Sequence, residues 1–286
     1  MAATQATDAA LRTQVHTMWA QVADGWAEHA EYVDSRGAHL TARMIDASAP
    51  KAGDRVLELA CGPGGAGLAI AEIVGTTGEV VLSDVATEMI AIAAARAADR
   101  GLDNVRTTVR DLEQIDEPDA SFDVVVCREG LMFAVQPARA VAEIARVLRP
   151  GGRVALAVWG PRADNPWLGL VFDAVSEQLG LPIPPPGVPG PFALSDATEL
   201  HALLVGGGLV DVSVEPLSAP LRAASFDEWW ARTSAIAGPL AAMLASLPDE
   251  VRCAITDRLR AAVEPYRTAE GLEIPGVTLL ASARHP

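Results

Sequence analysis

The sequence predicts an α/β protein built on a doubly wound, mostly parallel sheet. Short Val- and Leu-rich runs recur along the chain, helical patterns of about ten to fifteen residues separate them, and the first run leads straight into a glycine-rich loop, "VLELACGPGGAG". Strands that alternate with helices in this way form right-handed βαβ units.

The elements follow in order. From about Ala9 to Ser48 the pattern is helical, with Val15, Met18, Trp19, Val22 and Trp26 at three- and four-residue spacings. Pro50 and Gly53 then break the period, and Val56–Leu59 reads as a buried strand that runs into the loop, with a helix from Gly67 to about Val74. "GEVVLSDV" is a second strand ending at Asp84. Thr87 is the expected N-cap of the helix "EMIAIAAARAAD", which Gly101 stops. "NVRTTVRDL" is a third strand ending at Asp111 and "SFDVVVCRE" a fourth. "PARAVAEIARVL" is a helix with Pro137 in its first turn, and "RPGGRVALAVW" a turn and fifth strand.

Beyond Trp159 the texture changes. "LPIPPPGVPGP" carries six prolines and reads as a stiff connector. A helix capped by Ser195 or Asp196 and the strand "LVDVSVEPL" come next, then a helical stretch over 225–270, then a last strand, "GVTLLASAR". Counting both later strands gives a seven-stranded sheet with an N-terminal helical segment and a helical insertion before the last strand. The expected organisation is a segment 1–48, a core 49–160, a connector with helix and strand 161–224, an insertion 225–275 acting as a lid, and a returning strand 276–286.

Composition narrows the partners. Half of the 286 residues are hydrophobic, enough for a substantial core. With 37 acidic against 22 basic residues the net charge is -15, which argues against a phosphate-backbone binder, so no nucleic acid is expected. Three widely spaced cysteines show no metal or redox spacing. No leader and no long apolar run is read, so a soluble cytoplasmic protein without membrane insertion is expected. The sequence leaves the oligomeric state open, a homodimer included.

Ligands of open parallel sheets lie at the carboxyl ends of the strands. Gly62, Gly64 and Gly67 match a dinucleotide fingerprint, yet Glu58 stands just before the loop and Pro63 removes one backbone donor. A carboxylate beside a pyrophosphate is electrostatically wrong, whereas one beside a cationic amino or sulfonium group is right. Asp84 at the second strand end suits the two hydroxyls of a ribose, and Asp111 with Leu112 suits the amino edge and face of a base.

In this order the stretches resemble the class I S-adenosylmethionine-dependent methyltransferases, in particular the small-molecule group similar to the ubiquinone/menaquinone C-methyltransferases. "VLELACGPGG" is similar to the first motif, "LSDVATEMIAIAAARA" to the second, "VRDLE" to the third, and "FDVVVCREGLMF" and "EIARVLRPGGRVALAVW" to the later ones. The likeness covers most of residues 15–160. It implies a Rossmann-like fold whose last strand inserts antiparallel between its neighbours, and S-adenosylmethionine as cofactor. The implied cofactor set is Trp26, Glu58, Ala60, Cys61, Gly62, Gly64, Asp84, Val85, Met89, Asp111, Leu112 and Arg128. Ala60 stands where the family usually has its first glycine, which predicts a backbone that avoids positive φ there.

Methyl transfer needs alignment and exclusion of water, and a base only where the nucleophile holds its proton. The fourth strand is followed by "CREG" rather than the motif of amino-methylating nucleic-acid enzymes, and no paired-acid cluster is evident. These point to a metal-independent enzyme acting on oxygen or carbon of a small, partly apolar or aromatic acceptor. Arg128 is a candidate for an acceptor carboxylate or oxyanion, against the plainer reading of an Arg128–Glu129 pair on the loop. His29 is the candidate base on the N-terminal segment. Met132, Phe133, Trp159, Trp167 and Trp229 are the candidate acceptor walls. Two other readings stand beside this one: a catalytically silent protein that binds the same cofactor, and an NAD(P)-dependent oxidoreductase using the glycine loop.

Overall fold

The computed structural model describes residues 2–185 and 188–286. Pro186 and Gly187, inside the proline-rich connector, lie outside the described residues. The N-terminal segment forms three helices, α1 (Ala2–Gln21), α2 (Ala23–Glu28) and α3 (Ala30–Ser48). The core then alternates: β1 (Arg55–Leu59), α4 (Gly65–Val74), β2 (Glu79–Asp84), α5 (Thr87–Asp99), β3 (Val105–Val109), β4 (Phe122–Arg128), α6 (Pro137–Val147) and β5 (Leu148–Trp159). The remainder comprises α7 (Pro166–Leu179), α8 (Ala197–Gly206), β6 (Val210–Ser218), β7 (Leu221–Ala223), α9 (Phe226–Ile236), α10 (Pro239–Ser246), α11 (Asp249–Ala262), β8 (Arg267–Thr268), β9 (Gly271–Ile274) and β10 (Val277–Arg284).

The main sheet has the order β3-β2-β1-β4-β5-β10-β6. Strands β1 to β5 pair in parallel, and β10 lies antiparallel between β5 and β6, as the resemblance implies. The period of two along each strand divides the core. On β1 and β4, Leu57, Leu59, Val125 and Cys127 enter one cluster with α6 and α8. Val56, Val124 and Val126 enter the other with α3, α4 and α5. By the same alternation Glu58 and Arg128 point to the face carrying α3 and α4. That register, not chain proximity, decides their partners below.

The sequence reading missed a second, small sheet of order β7-β9-β8. Its strands hold two to four residues each, too short to show alternation against the helices around them. It packs with α7, α9, α10 and α11 into a separate core around Phe226, Trp229, Ile255 and Leu259. At the start of α5, Ala86 rather than Thr87 is the N-cap, without a side-chain cap bond, and its own N–H donates to Asp84 Oδ1 at 3.0 Å. Among the described residues no helix is long and apolar enough to cross a membrane.

Candidate active site

A cavity of about 850 Å³ opens at the carboxyl ends of β1, β2, β4 and β5, beside the point where strand order reverses between β1 and β4. Of the residues expected at a cofactor, Trp26, Glu58, Ala60, Cys61, Gly62, Asp84, Val85, Met89, Asp111, Leu112 and Arg128 all line it; Gly64 does not. Gly64 is the N-cap of α4, with φ 86°, and is buried beneath the loop.

The N-terminal turn of α4 settles which charge the loop accepts. Gly67 donates its backbone N–H to Glu58 Oε2 at 2.7 Å, and a Cβ on Gly67 would overlap that oxygen and Leu82. Asp34 from α3 lies against Gly65, where a Cβ would overlap its carboxylate. Two protein carboxylates thus crowd the first turn of α4, which disfavours an anion there and counts against the oxidoreductase reading. Glu58 is 1% exposed, and burial pushes its carboxyl up to about 7 against the pull of Arg128 and the Gly67 N–H. A buried acid so placed is stabilised by a cationic ligand.

The loop before α4 departs from expectation at Ala60, which adopts φ 49° despite its Cβ. The strand must turn sharply here to reach the glycine loop. The neighbouring backbone is equally constrained: Glu129 has φ 59°, and a Cβ on Gly130 would overlap Ala60. Ala60→Gly is expected to raise stability by about 0.5–1 kcal/mol by removing the left-handed penalty. An unchanged or lowered urea midpoint would show that the Ala60 side chain contributes more by packing.

Asp84 is buried and bonded on both oxygens by the loop it faces: Oδ2 accepts the Gly62 N–H at 2.9 Å and Oδ1 that of Ala86. Burial pushes its carboxyl up, and the backbone donors oppose this. Asp111 lies two residues beyond β3 rather than on it, and its Oδ1 accepts the Glu113 N–H at 2.8 Å. Glu113 is a buried hub that the sequence reading missed: it accepts the N–H groups of Val135 and Gln136 and the guanidinium of Arg12. Arg12, with His16 at 3.7 Å from Asp111, seats α1 over this half of the cavity.

Arg128 does not pair with Glu129. Strand alternation turns it to α3, where it donates to Thr41 Oγ1 at 2.9 Å and meets Asp34 at 3.5 Å. Glu129 instead accepts the Thr278 hydroxyl at 3.2 Å. Arg128 therefore positions α3 and offsets the charge of Asp34 and Glu58. His29 does not line the cavity: it sits at the junction of α2 and α3, and His16 is the histidine that reaches the lining among the described residues.

The acceptor walls sort in the same physical way. Phe133, Trp159 and Trp167 line the cavity. Met132 does not, because the single turn over Leu131–Phe133 directs Leu131 and Met132 into the sheet core and only Phe133 outward. Trp229 is 1% exposed and packs with Phe226 in the second core, on the buried face of α9. The roof is a seam between the N-terminal helices and α9. Trp26 Nε1 donates to the Ile236 carbonyl at 3.1 Å, and Arg232 lies 4.2 Å over the Tyr32 ring. Trp19 meets both Trp26 and Phe133 edge-on. Trp26→Phe is expected to cost about 1 kcal/mol, read from the urea midpoint; an unshifted midpoint would mean the bond is matched by water. Tyr32, Arg36 and Leu40 also line the cavity. Their four-residue spacing on α3 is the signal that could have found them.

S-adenosylmethionine, which the sequence resemblance implies, fits this donor set. Asp84 and Asp111 present carboxylates to the cavity, buried Glu58 suits a cationic group, and the acids beside the first turn of α4 disfavour an anion. The comparisons agree. A family model described as a methyltransferase domain matches residues 56–152. The chain is 37% identical over 133 residues to the ubiquinone/menaquinone biosynthesis C-methyltransferase UbiE of Azotobacter vinelandii, covering 46% of this chain and 52% of that protein. It is 33% identical over 167 residues to the same-named protein of Bdellovibrio bacteriovorus, covering 58% and 69%. The chain thus spans about half the length of most of the curated relatives it matches. The crystal structure of the YcgJ protein from Bacillus subtilis superposes with a TM-score of 0.59 at 22% identity, over 86% of this chain and 98% of that one, a likeness of fold.

Proposed function

The chain belongs to the class I S-adenosylmethionine-dependent methyltransferases, and from that premise we propose that it methylates oxygen or carbon of a small, partly apolar or aromatic acceptor inside a closed pocket. One observation carries the proposal. A single cavity runs from the cofactor acids Glu58, Asp84 and Asp111 to a half lined by Phe133, Trp159, Trp167 and Phe172.

When bound, S-adenosylmethionine supplies a methyl group already activated on a cationic sulfur. Asp84 holds the ribose hydroxyls, Asp111 and Leu112 hold the base, and Glu58 neutralises the cationic end. Phe133 and Trp159 orient the acceptor at the ends of β4 and β5. The seam of α2, α3 and α9 excludes water, which strengthens every charge interaction within. In this reading Glu129, which lines the cavity on the loop after β4, takes up an acceptor proton in place of His29, which does not line it. The relatives' name points to C-methylation of a quinone-like ring as the first chemistry to try.

The test is calorimetry with S-adenosylmethionine and with NADH, followed by transfer of a labelled methyl group to a panel of phenols, quinols and carboxylic acids. Binding of S-adenosylmethionine with label in at least one acceptor supports the reading. Binding without label across the panel favours the silent alternative, and NADH binding alone overturns both.

A further inference from the structure

The acceptor half of the cavity contains a charge that the protein does not neutralise. Five arginines line the cavity, and four are in ion pairs: Arg12 with Glu113, Arg110 with Glu117, Arg128 with Asp34 and Arg232 with Glu228. The fifth, Arg36 on α3, has no ion pair or hydrogen bond among the described residues, and its Nε is buried without an acceptor. The carboxylates that line the cavity are all engaged elsewhere. Glu58 accepts from Gly67, Asp84 from Gly62 and Ala86, Asp111 from Glu113, Glu113 from Arg12, and Glu129 from Thr278.

In a chain with 37 acids and 22 bases, an arginine without an acid is unusual. A buried guanidinium donor without an acceptor is also costly, because its desolvation is not repaid. What holds Arg36 in place is aromatic. Its guanidinium lies 4.4 Å over the ring of Trp167, whose own Nε1 is fixed by Asn165 Oδ1 at 3.1 Å. Trp159 meets Trp167 edge-on at 4.8 Å, and Trp159 Nε1 is a second buried donor without an acceptor. Stacking fixes the plane of the guanidinium and leaves its edge free to donate. Around these donors the cavity is apolar, lined by Phe172, Ile183, Val188, Leu221, Leu240 and Met243.

We infer that the acceptor is a carboxylic acid on an apolar body, its carboxylate held by Arg36 with Trp159 Nε1 nearby and its body along the apolar wall. This rests on the reading of the cavity as a methyl-acceptor site. A carboxylate is favoured over a phenolate because the Nε edge of a guanidinium offers two parallel donors, which match two oxygens. The carboxylate is an anchor, so the methyl group goes to another atom of the acceptor.

The experiment measures binding of octanoate, phenylacetate and 1-naphthoate, each against its neutral amide. Calorimetry is run on the full chain with and without S-adenosylhomocysteine, for wild type, Arg36→Gln, Arg36→Lys and Trp159→Phe. At least one acid is expected to bind at least tenfold tighter than its amide. R36Q should erase that preference, R36K should keep part of it, and W159F should weaken the acid severalfold. Thermal melting of each variant identifies any that fail to fold, and wild type then decides alone. Equal affinity for every acid and its amide in wild type, no acid binding at all, or a preference retained in folded R36Q would overturn the inference. S-adenosylhomocysteine binding without acid preference defeats this inference alone. Acid preference without S-adenosylhomocysteine binding defeats the methyltransferase reading and leaves the carboxylate site standing.

Discussion

Asp84→Asn is expected to weaken S-adenosylmethionine binding on the order of 10²-fold while leaving the protein folded. The carboxylate is buried, lines the cavity and is held by the N–H groups of Gly62 and Ala86. That leaves its remaining lone pairs to face the ligand. Hydrogen bonds to a charged acceptor contribute roughly 1.5–3 kcal/mol each, and two ribose hydroxyls depend on this one group. Asparagine keeps a single acceptor oxygen, and whichever way its amide lies, its NH2 faces the backbone N–H of either Gly62 or Ala86. Calorimetry with S-adenosylmethionine checks the affinity, and thermal melting separates it from a loss of fold. An affinity within threefold of wild type would remove Asp84 from the cofactor site.

Asp84 was legible in the sequence because one number locates it: the carboxylate ends the second strand, and strand ends converge on the loop. The same argument found Glu58, and for Asp111 it held to within two residues. Arg128 shows where the reading fails. Sequence proximity suggested Glu129 as its partner, but adjacent residues at a strand end face opposite sides of the sheet, and the partners come from α3, nearly a hundred positions away. Met132 and Trp229 failed for a related reason. An aromatic or apolar residue near the site reads alike whether it faces the cavity or the core, and only the phase of its turn or helix decides. Arg36 shares a four-residue spacing with Tyr32 and Leu40, but an arginine on an acid-rich chain reads as surface. Its meaning comes from what it lacks, and a missing partner is a property of the packed structure alone.

Glu58 gives a second large effect, through pH. Its carboxyl titrates at an ordinary 4.5 in the unfolded chain and at about 7 in the folded one, because burial disfavours the charged form. Between those values the folded state holds more protons, so this contribution to stability is fully present below about 4.5 and is lost as pH rises through 7. The total is about 3 kcal/mol. Glu58→Gln should remove that slope, because the amide oxygen can still accept the Gly67 N–H and no charge need form. Urea midpoints taken from pH 4.5 to 8 test this, and a variant whose slope matches wild type would mean that Glu58 stays ionised throughout. The ligand reverses the sign. A cationic group beside Glu58 favours the carboxylate, so S-adenosylmethionine affinity should rise on the order of tenfold between pH 6 and 7.5 in wild type and stay nearly flat in E58Q. If affinity instead fell with pH in both proteins, the cationic end of the cofactor would lie away from Glu58, and the buried acid would serve only to cap α4.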